Sequence, residues 1–337
     1  MKTAIIGTGR MGQRHLQNVL ALGLDTSGIC DQNADLLASM EKEFYVAEEC
    51  LFRSAEEMIG KVLPECVIIA TTAPTHCELT CLAAEKGVRY ILCEKPMAAS
   101  LSQCDRMLAA CKASGSKLAI NHQMRFMEQY TEPKQIVSSE SFGGLSSVNV
   151  IAGNFGMAMN GTHYFEMFRY MTDEAPLEVQ AWFSNEKVPN PRGPQFEDRA
   201  GSVRLATASG KRFYMEIGAD QGHGVNVIYA GSYGQLVVDE LGGKMYLAVR
   251  KEEHRDLPTT RYGMPWVETI REIQPADSLG PSRSVLKALL EDHNFPTGED
   301  GRIAVATLVA AYISDENGHI PILVDNALPQ ERIFRWA

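Results

Sequence analysis

Short apolar runs alternate with segments of helical periodicity over the first 120 residues of the chain. The run at residues 66–70 is continuously apolar, which is typical of a strand that helices cover on both faces. Strands that alternate with helices imply right-handed crossovers and a parallel sheet. The pattern therefore predicts a doubly wound parallel α/β domain. Its predicted strands are residues 3–6, 26–30, 66–70, 89–92 and 117–120.

After about residue 121 the pattern changes to strands in which apolar and polar residues alternate. Ser209-Gly210 favours a hairpin turn between two of these strands. The pattern predicts a second, α+β domain with a mostly antiparallel sheet, so that the domains are residues 1–121 and 122–337. Residues 251–281 have no clear periodicity and are predicted to form a long loop. The predicted strands are residues 146–151, 178–183, 202–208, 212–217, 225–229, 235–238 and 245–249, and the predicted helices are residues 162–171, 282–292 and 299–314.

The charge balance narrows the class of protein. Among 337 residues, 32 are Lys or Arg and 42 are Asp or Glu, which gives a net charge of −10. Such a chain has no general attraction to nucleic acid or to an anionic membrane surface. The longest nearly apolar run, residues 303–313, is shorter than the ~20 residues that span a bilayer. The apolar start of the chain is too short for a signal peptide, so we expect a cytoplasmic protein with reduced cysteines.

The eight cysteines do not form a recognisable metal motif. Cys77 and Cys81 lie one helical turn apart, and His76 precedes them. This spacing fits no common zinc pattern, and buried free thiols are frequent in cytosolic proteins. We therefore predict no metal site.

The chemical signal near the N-terminus is Gly7-Thr8-Gly9-Arg10-Met11-Gly12, a GxGxxG motif that follows the first predicted strand and opens a helix. Such glycines form a tight turn and let a pyrophosphate approach the backbone at a helix N-terminus. Asp31 ends the second predicted strand, where its carboxylate can accept both ribose hydroxyls of NAD and would repel the 2′-phosphate of NADP. NAD is therefore predicted over NADP, although Arg10 or Arg14 could tolerate a phosphate.

Two further side chains are candidates for catalysis. Lys95, in Glu94-Lys95-Pro96, directly follows a predicted strand, at the edge of the sheet where ligands of such folds bind. His163 lies near the start of the helix predicted at residues 162–171. Each has an ordinary structural alternative: a lone lysine is usually solvated, and a lone histidine beside an apolar helix face usually belongs to the core.

Taken together, the motifs resemble those of the glucose-fructose oxidoreductase, inositol dehydrogenase and rhizopine catabolism (Gfo/Idh/MocA) family. The resemblance covers essentially the whole chain. It implies a Rossmann domain followed by an open-sheet substrate domain, homodimer or homotetramer contacts, and oxidoreduction of CH–OH groups in sugars, polyols or their derivatives. The segments that carry it are GxGxxG, Thr71-Thr72-Ala73-Pro74-Thr75-His76, Glu94-Lys95-Pro96, Gly161-Thr162-His163 and the C-terminal stretches 298–301 and 314–319.

The resemblance also implies roles for individual residues. Lys95 matches the family lysine that hydrogen-bonds the reacting oxygen, and His163 matches the histidine that takes or returns the hydroxyl proton. A reference pKa near ~6.5 suits that histidine to the task around neutral pH. Asn160, Arg125 and Tyr164 are candidate substrate contacts, although each could equally be structural. The expected cofactor contacts are Gly7, Gly9, Arg10, Met11, Gly12, Asp31, Thr71, Thr72, Pro74, His76, Glu94 and Gln123.

One position departs from the family pattern. Many relatives carry an Asp four residues before the histidine, whereas this chain has Met159. Methionine can neither accept a proton nor orient the imidazole. Asn160 could hydrogen-bond a substrate but cannot be a base, and Glu166 could substitute electrostatically. The minimal catalytic pair is then Lys95 and His163.

The sequence leads to one main hypothesis and two alternatives. The main hypothesis is an NAD-dependent dehydrogenase or reductase that acts on a sugar, a cyclitol or a nucleotide sugar. The first alternative is an enzyme that recycles a tightly bound nucleotide, and the second is a non-catalytic NAD(H)-responsive regulator. The presence of both Lys95 and His163 argues against a regulator, because a sensor needs no proton-transfer pair.

Overall fold

The computed structural model describes residues 1–153, 156–186, 190–258 and 265–336. Contacts between Cα atoms divide the chain into two units. The first unit consists of Met1–Gln123, Ser278–Val305 and Pro329–Ala337, and the second consists of Met124–Asp277 and Ala306–Leu328.

Two C-terminal segments thus group with the N-terminal part of the chain, whereas the periodicity predicts a single division at residue 121. Backbone hydrogen bonds tie both segments to the first unit. The Ile120 N–H donates to the Pro296 carbonyl at 3.0 Å, and the Phe334 N–H donates to the Ala99 carbonyl at 2.9 Å. Hydrophobic periodicity reports only local structure, so it carries no signal for such long-range returns of the chain.

The sheet of the first unit is parallel and, within the described residues, has the strand order β3-β2-β1-β4-β5-β6. The order reverses between β1 and β4, which is the place where doubly wound sheets open a ligand crevice. Val67, Ile68 and Ile69 in β4 are fully buried, as the apolar run predicts. The predicted fold class is confirmed. The strands are β1 (Lys2–Ile6), β2 (Asp25–Cys30), β3 (Leu51–Phe52), β4 (Cys66–Ile69), β5 (Tyr90–Cys93) and β6 (Lys117–Ile120).

Helices follow most of these strands along the chain. The periodicity does not predict the third strand, β3, or the third helix. The strand is only two residues long, and the helix buries only Met58 and Ile59, so neither leaves a clear pattern. The helices are α1 (Arg10–Ala21), α2 (Ala34–Phe44), α3 (Ala55–Val62), α4 (Ala73–Glu85) and α5 (Leu101–Ser114).

The second unit holds a mostly antiparallel sheet, as predicted. Its strand order within the described residues is β14-β13-β12-β11-β7-β10-β9-β8-β15, and β7 and β10 form a parallel pair within it. The strands are β7 (Leu145–Ala152), β8 (Pro176–Phe183), β9 (Gly201–Thr207), β10 (Arg212–Ile217), β11 (Asn226–Gly231), β12 (Gly234–Asp239), β13 (Lys244–Arg250), β14 (Trp266–Glu272) and β15 (Ile322–Leu323).

One face of this sheet packs against a helix and the other carries exposed apolar side chains. Helices α6 (Glu128–Val137) and α7 (Thr162–Thr172) belong to this unit, and α8 (Leu279–Leu290) and α9 (Gly298–Glu316) follow later in the chain. Phe168 of α7 lies against Phe213 of β10, with ring centroids 5.3 Å apart. Within the described ranges, no helix is both long enough and apolar enough to cross a membrane.

The long loop predicted at residues 251–281 is wrong for part of its length. Strand β14 lies in it and pairs antiparallel with β13 along its whole length, and α8 begins before residue 281. All seven residues of β14 are exposed. An edge strand without a buried face has no alternation of apolar and polar residues, which explains why the pattern fails here. Residues 259–264, which the same prediction included, lie outside the described ranges.

Candidate functional site

The glycine-rich turn joins β1 to α1, where the sequence predicts it. Gly7 has a φ of +93°, and a Cβ atom on it would lie 2.7 Å from the Ala70 carbonyl oxygen, so glycine is required at this position. A Cβ on Gly9 would meet nothing within 4 Å, which leaves open space beside the start of α1. The first turn of α1 has no acidic residue and no side-chain cap. The turn therefore fits a diphosphate at the positive end of a helix.

Asp31 is fixed against this turn. Its Oδ2 accepts hydrogen bonds from the Thr8 N–H at 2.7 Å and from the Thr8 hydroxyl at 2.9 Å. Its Oδ1 accepts one from the Asn33 N–H at 2.9 Å. An ionised carboxylate has about four acceptor positions, so Asp31 keeps capacity for a hydroxyl donor.

A cleft of about 460 Å³ opens beside Asp31. Arg53 and Ser54 line it, and the sequence analysis did not identify either residue. Arg53 follows β3, which is too short to be recognised from periodicity. Its Nη2 donates to the Gln32 carbonyl at 2.7 Å, so a cation lies in the same cleft as the Asp31 carboxylate. The other lining residues are Ile6, Gly7, Cys30, Gln32, Ala55, Thr71, Thr72, Thr75, Glu78 and Leu79.

Glu94 precedes Lys95 and is turned inward. The carboxylate is buried, and its Oε1 lies 2.8 Å from His15 Nε2 and 2.8 Å from Asn121 Nδ2. Burial alone would raise the pKa of Glu94. The hydrogen bond from His15, the charges of His15 and Lys95, and the Asn121 amide together lower that pKa to about 2. Glu94 is therefore a buried anion at the base of the turn that carries the half-buried Lys95.

Replacing Glu94 with glutamine is expected to destabilise the fold in a pH-dependent way. The folded pKa, about 2, lies below the usual 4.5, so ionised Glu94 contributes on the order of 3 kcal/mol above pH 4.5. This contribution is lost as the pH falls from about 4.5 to about 2. Urea unfolding should show the Glu94→Gln variant about 1–3 kcal/mol less stable at pH 7 and much closer to the wild type at pH 3. The exposed Glu85→Gln is the control, and an equal loss at both pH values would contradict the assignment.

His76 joins two turns that the family resemblance assigns to the cofactor site. Its Nδ1 lies 2.9 Å from the Pro96 carbonyl, and its Nε2 lies 3.3 Å from the Thr71 carbonyl. The ring is fully buried, and this burial lowers the pKa of His76, so the neutral form is favoured. The neutral ring has one N–H and can donate to only one of these carbonyls, so His76 would act on a cofactor through the backbone turn that it binds. Gln123, at the end of the first unit's N-terminal segment, is also buried.

Three candidate residues of the second unit, Asn160, His163 and Tyr164, lie on one helical segment. A π-helical turn, Met157–Gly161, leads into α7, and the predicted helix at residues 162–171 is confirmed. His163 is 7% exposed, and Asn160 is of intermediate exposure. Both residues are therefore carried by the first two turns of this segment. Lys95 belongs to the first unit and His163 to the second.

Tyr164 belongs to a buried cluster. Its hydroxyl donates to Glu240 Oε2 at 3.1 Å, and the Tyr130 hydroxyl donates to the other oxygen of the same carboxyl. Burial raises the pKa of Glu240 to about 7, against the lowering effect of the two tyrosine hydroxyls. These contacts favour a structural role for Tyr164, which is one of the two alternatives in the sequence analysis. Sequence patterns do not reveal this cluster, because its members are far apart in the chain.

Arg125 and Glu166 form a second buried cluster, with Arg169. The Arg125 guanidinium donates to Glu166 Oε1, and Arg169 Nε donates to Glu166 Oε2 at 2.7 Å. The Arg125 guanidinium also lies over the Tyr170 ring, 5.3 Å from its centroid. Two cations therefore bind Glu166, the carboxylate that the sequence analysis considers as an electrostatic substitute for the one missing at Met159.

The part of the chain that the structure describes contains no candidate metal-binding site. There, no three His, Cys, Asp or Glu side chains are grouped so that they could hold an ion. Burial raises the pKa of the Cys77 thiol to about 12, which disfavours the thiolate that a metal needs.

Comparison with known proteins identifies the family that the N-terminal part of the chain matches. Residues 1–122 match the GFO_IDH_MocA family model, described as an oxidoreductase family with an NAD-binding Rossmann fold. The inositol 2-dehydrogenase/D-chiro-inositol 3-dehydrogenase of Shouchella clausii is 26% identical over 57% of this chain, and the match covers 55% of that protein. The matched part thus spans about half the length of this first curated relative. The inositol 2-dehydrogenase of Salmonella typhimurium is 24% identical over 96% of both chains.

The fold has close counterparts among solved structures. An oxidoreductase from Agrobacterium radiobacter, solved with NAD⁺, L-tartaric acid and magnesium, superposes with a TM-score of 0.81 over 97% of this chain and 99% of that one, at 18% identity. The likeness to this structure shows the fold, a Rossmann unit followed by a unit with a mostly antiparallel sheet. Residues 1–122 match the Gfo/Idh/MocA family that the motifs predict, and a relative named inositol 2-dehydrogenase matches over most of the chain.

Proposed function

We propose that the protein is an NAD-dependent dehydrogenase that transfers a hydride between nicotinamide and a CH–OH carbon of a sugar or cyclitol. The observation that carries this proposal is the turn at Gly7, held against the fixed carboxylate of Asp31. The match to an oxidoreductase family and relatives named inositol dehydrogenases support the reaction class. The eight cysteines, all free thiols, suit the cytoplasmic location that the proposal includes.

The proposal assigns the proton chemistry to two side chains. The Lys95 ammonium donates a hydrogen bond to the reacting oxygen and holds it in place. The His163 imidazole takes the hydroxyl proton when the alcohol is oxidised and returns it when the ketone is reduced. A bound nicotinamide supplies the hydride acceptor or donor. These roles rest on the family resemblance and on the presence of both residue types.

The experiment that tests this function is absorbance at 340 nm with NAD⁺ against inositols, aldoses, sugar acids and nucleotide sugars. Formation of NADH with one class of substrate would support the dehydrogenase. A flat trace, together with nucleotide that stays bound through purification, would favour an enzyme that recycles its cofactor. Absence of any NAD(H) binding would overturn the proposal.

The cofactor is proposed to be NAD rather than NADP, because a carboxylate at the end of the second strand would repel a 2′-phosphate bound beside it. Asp31→Asn removes a charged acceptor, so KM for NAD⁺ is expected to rise about tenfold, as loss of one charge-assisted hydrogen bond predicts. The preference for NAD⁺ over NADP⁺ in kcat/KM should shrink as well. Asp35→Asn, exposed on α2, is the matched control. An unchanged ratio in Asp31→Asn would contradict this assignment.

We also propose that the protein is a homodimer or homotetramer that associates through the exposed face of the second unit's sheet. Ile151, Trp182 and Tyr214 are 38–42% exposed on this face. Glu216 and Ser202 lie between Ile151 and Trp182 in the strand register, so the face mixes exposed apolar and polar side chains, as protein contacts commonly do. Trp182→Glu is expected to reduce the mass measured by light scattering to that of one chain. Leu241→Glu, exposed in a turn outside the face, should leave the assembly unchanged.

A further inference from the structure

The helical segment that carries Asn160 and His163 is closed at its start by another part of the chain. The Met157 N–H donates to the Arg199 carbonyl at 2.8 Å. The N–H groups of Ala158 and Met159 donate to Asp198 Oδ1 and Oδ2, each at 2.8 Å. These donors stand at a helix N-terminus, where no carbonyl of the same helix is available to accept from them.

The approach of Asp198 depends on Gly156. A side chain at Gly156 would collide with the Asp198 carboxylate, because the position of a Cβ atom there overlaps the carboxylate carbon. The neighbouring Arg199 is itself fixed, since its Nη2 donates to the Ser184 carbonyl at 3.0 Å and lies 3.7 Å from Asp315. The carboxylate is therefore held in place from both sides.

Position 159 is the one where the family pattern expects a carboxylate and this chain has methionine. The structure places a carboxylate at the backbone N–H of that same residue, brought from 39 positions along the chain. We infer that Asp198 is a positioning residue that replaces the missing carboxylate. It anchors the turn that carries Asn160 and His163, and its charge stabilises the protonated imidazole. This inference rests on the proposed function.

The expected effect of the Asp198 charge on the imidazole follows from the dipole of the helix. The N-terminus of a helix carries a partial positive charge, which disfavours an imidazolium within the first turns. A full negative charge there reverses the effect. Two other carboxyl groups of the unit already have partners: Arg125 and Arg169 bind Glu166, and two tyrosine hydroxyls bind Glu240.

The first test measures the His163 imidazole directly, without turnover. NMR titration of the wild type and of Asp198→Asn, with the signal assigned from His163→Gln, should show the His163 pKa lowered by roughly 0.5–1 pH unit, as loss of one negative charge at the start of the same helical segment predicts. Amide hydrogen exchange at residues 157–161 should also become faster. Glu186→Gln removes an exposed carboxylate from the same loop and should change neither. An unchanged pKa with unchanged exchange would overturn the inference.

The second test uses activity. Asp198→Asn should lower kcat more than it raises KM. It should also shift the pH profile of kcat in the same direction as the pKa of the His163 imidazole. Met159→Asp in the Asp198→Asn background should restore much of the lost kcat and of the wild-type pH profile, because it returns a carboxylate to the same helical turn. Equal kcat and pH profile in the wild type and Asp198→Asn would contradict the role. An inactive wild type would refute the proposed dehydrogenase, whereas the titration would still decide the role of Asp198.

Discussion

Replacing Lys95 with alanine is expected to lower kcat about 100- to 1,000-fold, the usual loss when one preorganised donor to a reacting oxygen is removed. The ammonium would polarise the oxygen and hold the carbon that exchanges hydride, so both charge stabilisation and orientation are lost. Steady-state NADH formation, with the substrate found in the panel, measures the effect. The substitution removes the Lys95 charge near the buried Glu94 anion but keeps the contacts of that carboxylate with His15 and Asn121, so the protein should still fold.

A matched lysine separates this effect from a general loss of charge. Lys86 lies in the same unit, is exposed and pairs with Glu56 at 3.3 Å. Lys86→Ala should keep wild-type kcat. NADH binding, followed by fluorescence, should be similar in Lys95→Ala and in the wild type. A Lys95→Ala variant with normal kcat would remove the lysine from the proposed mechanism.

His163→Gln is expected to lower kcat about 100- to 10,000-fold, the range for loss of a general base. Oxidation requires the neutral imidazole, so the wild-type rate should rise with pH through the histidine pKa and then level off. Reduction requires the imidazolium, so the rate of reduction should fall as the pH rises over the same range. In His163→Gln, the rates of oxidation and of reduction should no longer change with pH over this range.

The control for this variant is His293→Gln, since His293 is an exposed histidine in the other unit. It should preserve both kcat and the pH profile. A His163→Gln variant whose residual rate still follows the wild-type pH profile would assign the proton transfer to another group.

Local patterns predict most of the fold because most strands and helices bury one side. The continuous burial of β4 and the alternating burial of β9 are both visible in the sequence. Elements without a buried side leave no such pattern, as β14 shows with every residue exposed. In α6, the internal Pro133 further obscures the helical periodicity.

The candidate site divides in the same way. The turn at Gly7 and the position of Asp31 follow from spacing, because the motif lies within one strand–helix–strand unit. The partners of the other candidates do not follow from spacing. His15 meets Glu94 across 79 positions, and Tyr164 meets Glu240 across 76. Such pairings depend on how the chain returns on itself, and a single sequence contains no direct record of them.

The two ends of the second unit's sheet limit how copies of the chain can add to one another. Strand β14 leaves one edge open, but Glu268, Arg271 and Glu272 place charges along it. The opposite edge, β15, is only two residues long and follows Pro321, which lacks an N–H to donate. Charged or very short edges resist strand-by-strand growth into fibrils. On β14 these charges stand beside the exposed Trp266, Val267 and Ile270, so they oppose the strand pairing that an exposed apolar edge would otherwise favour.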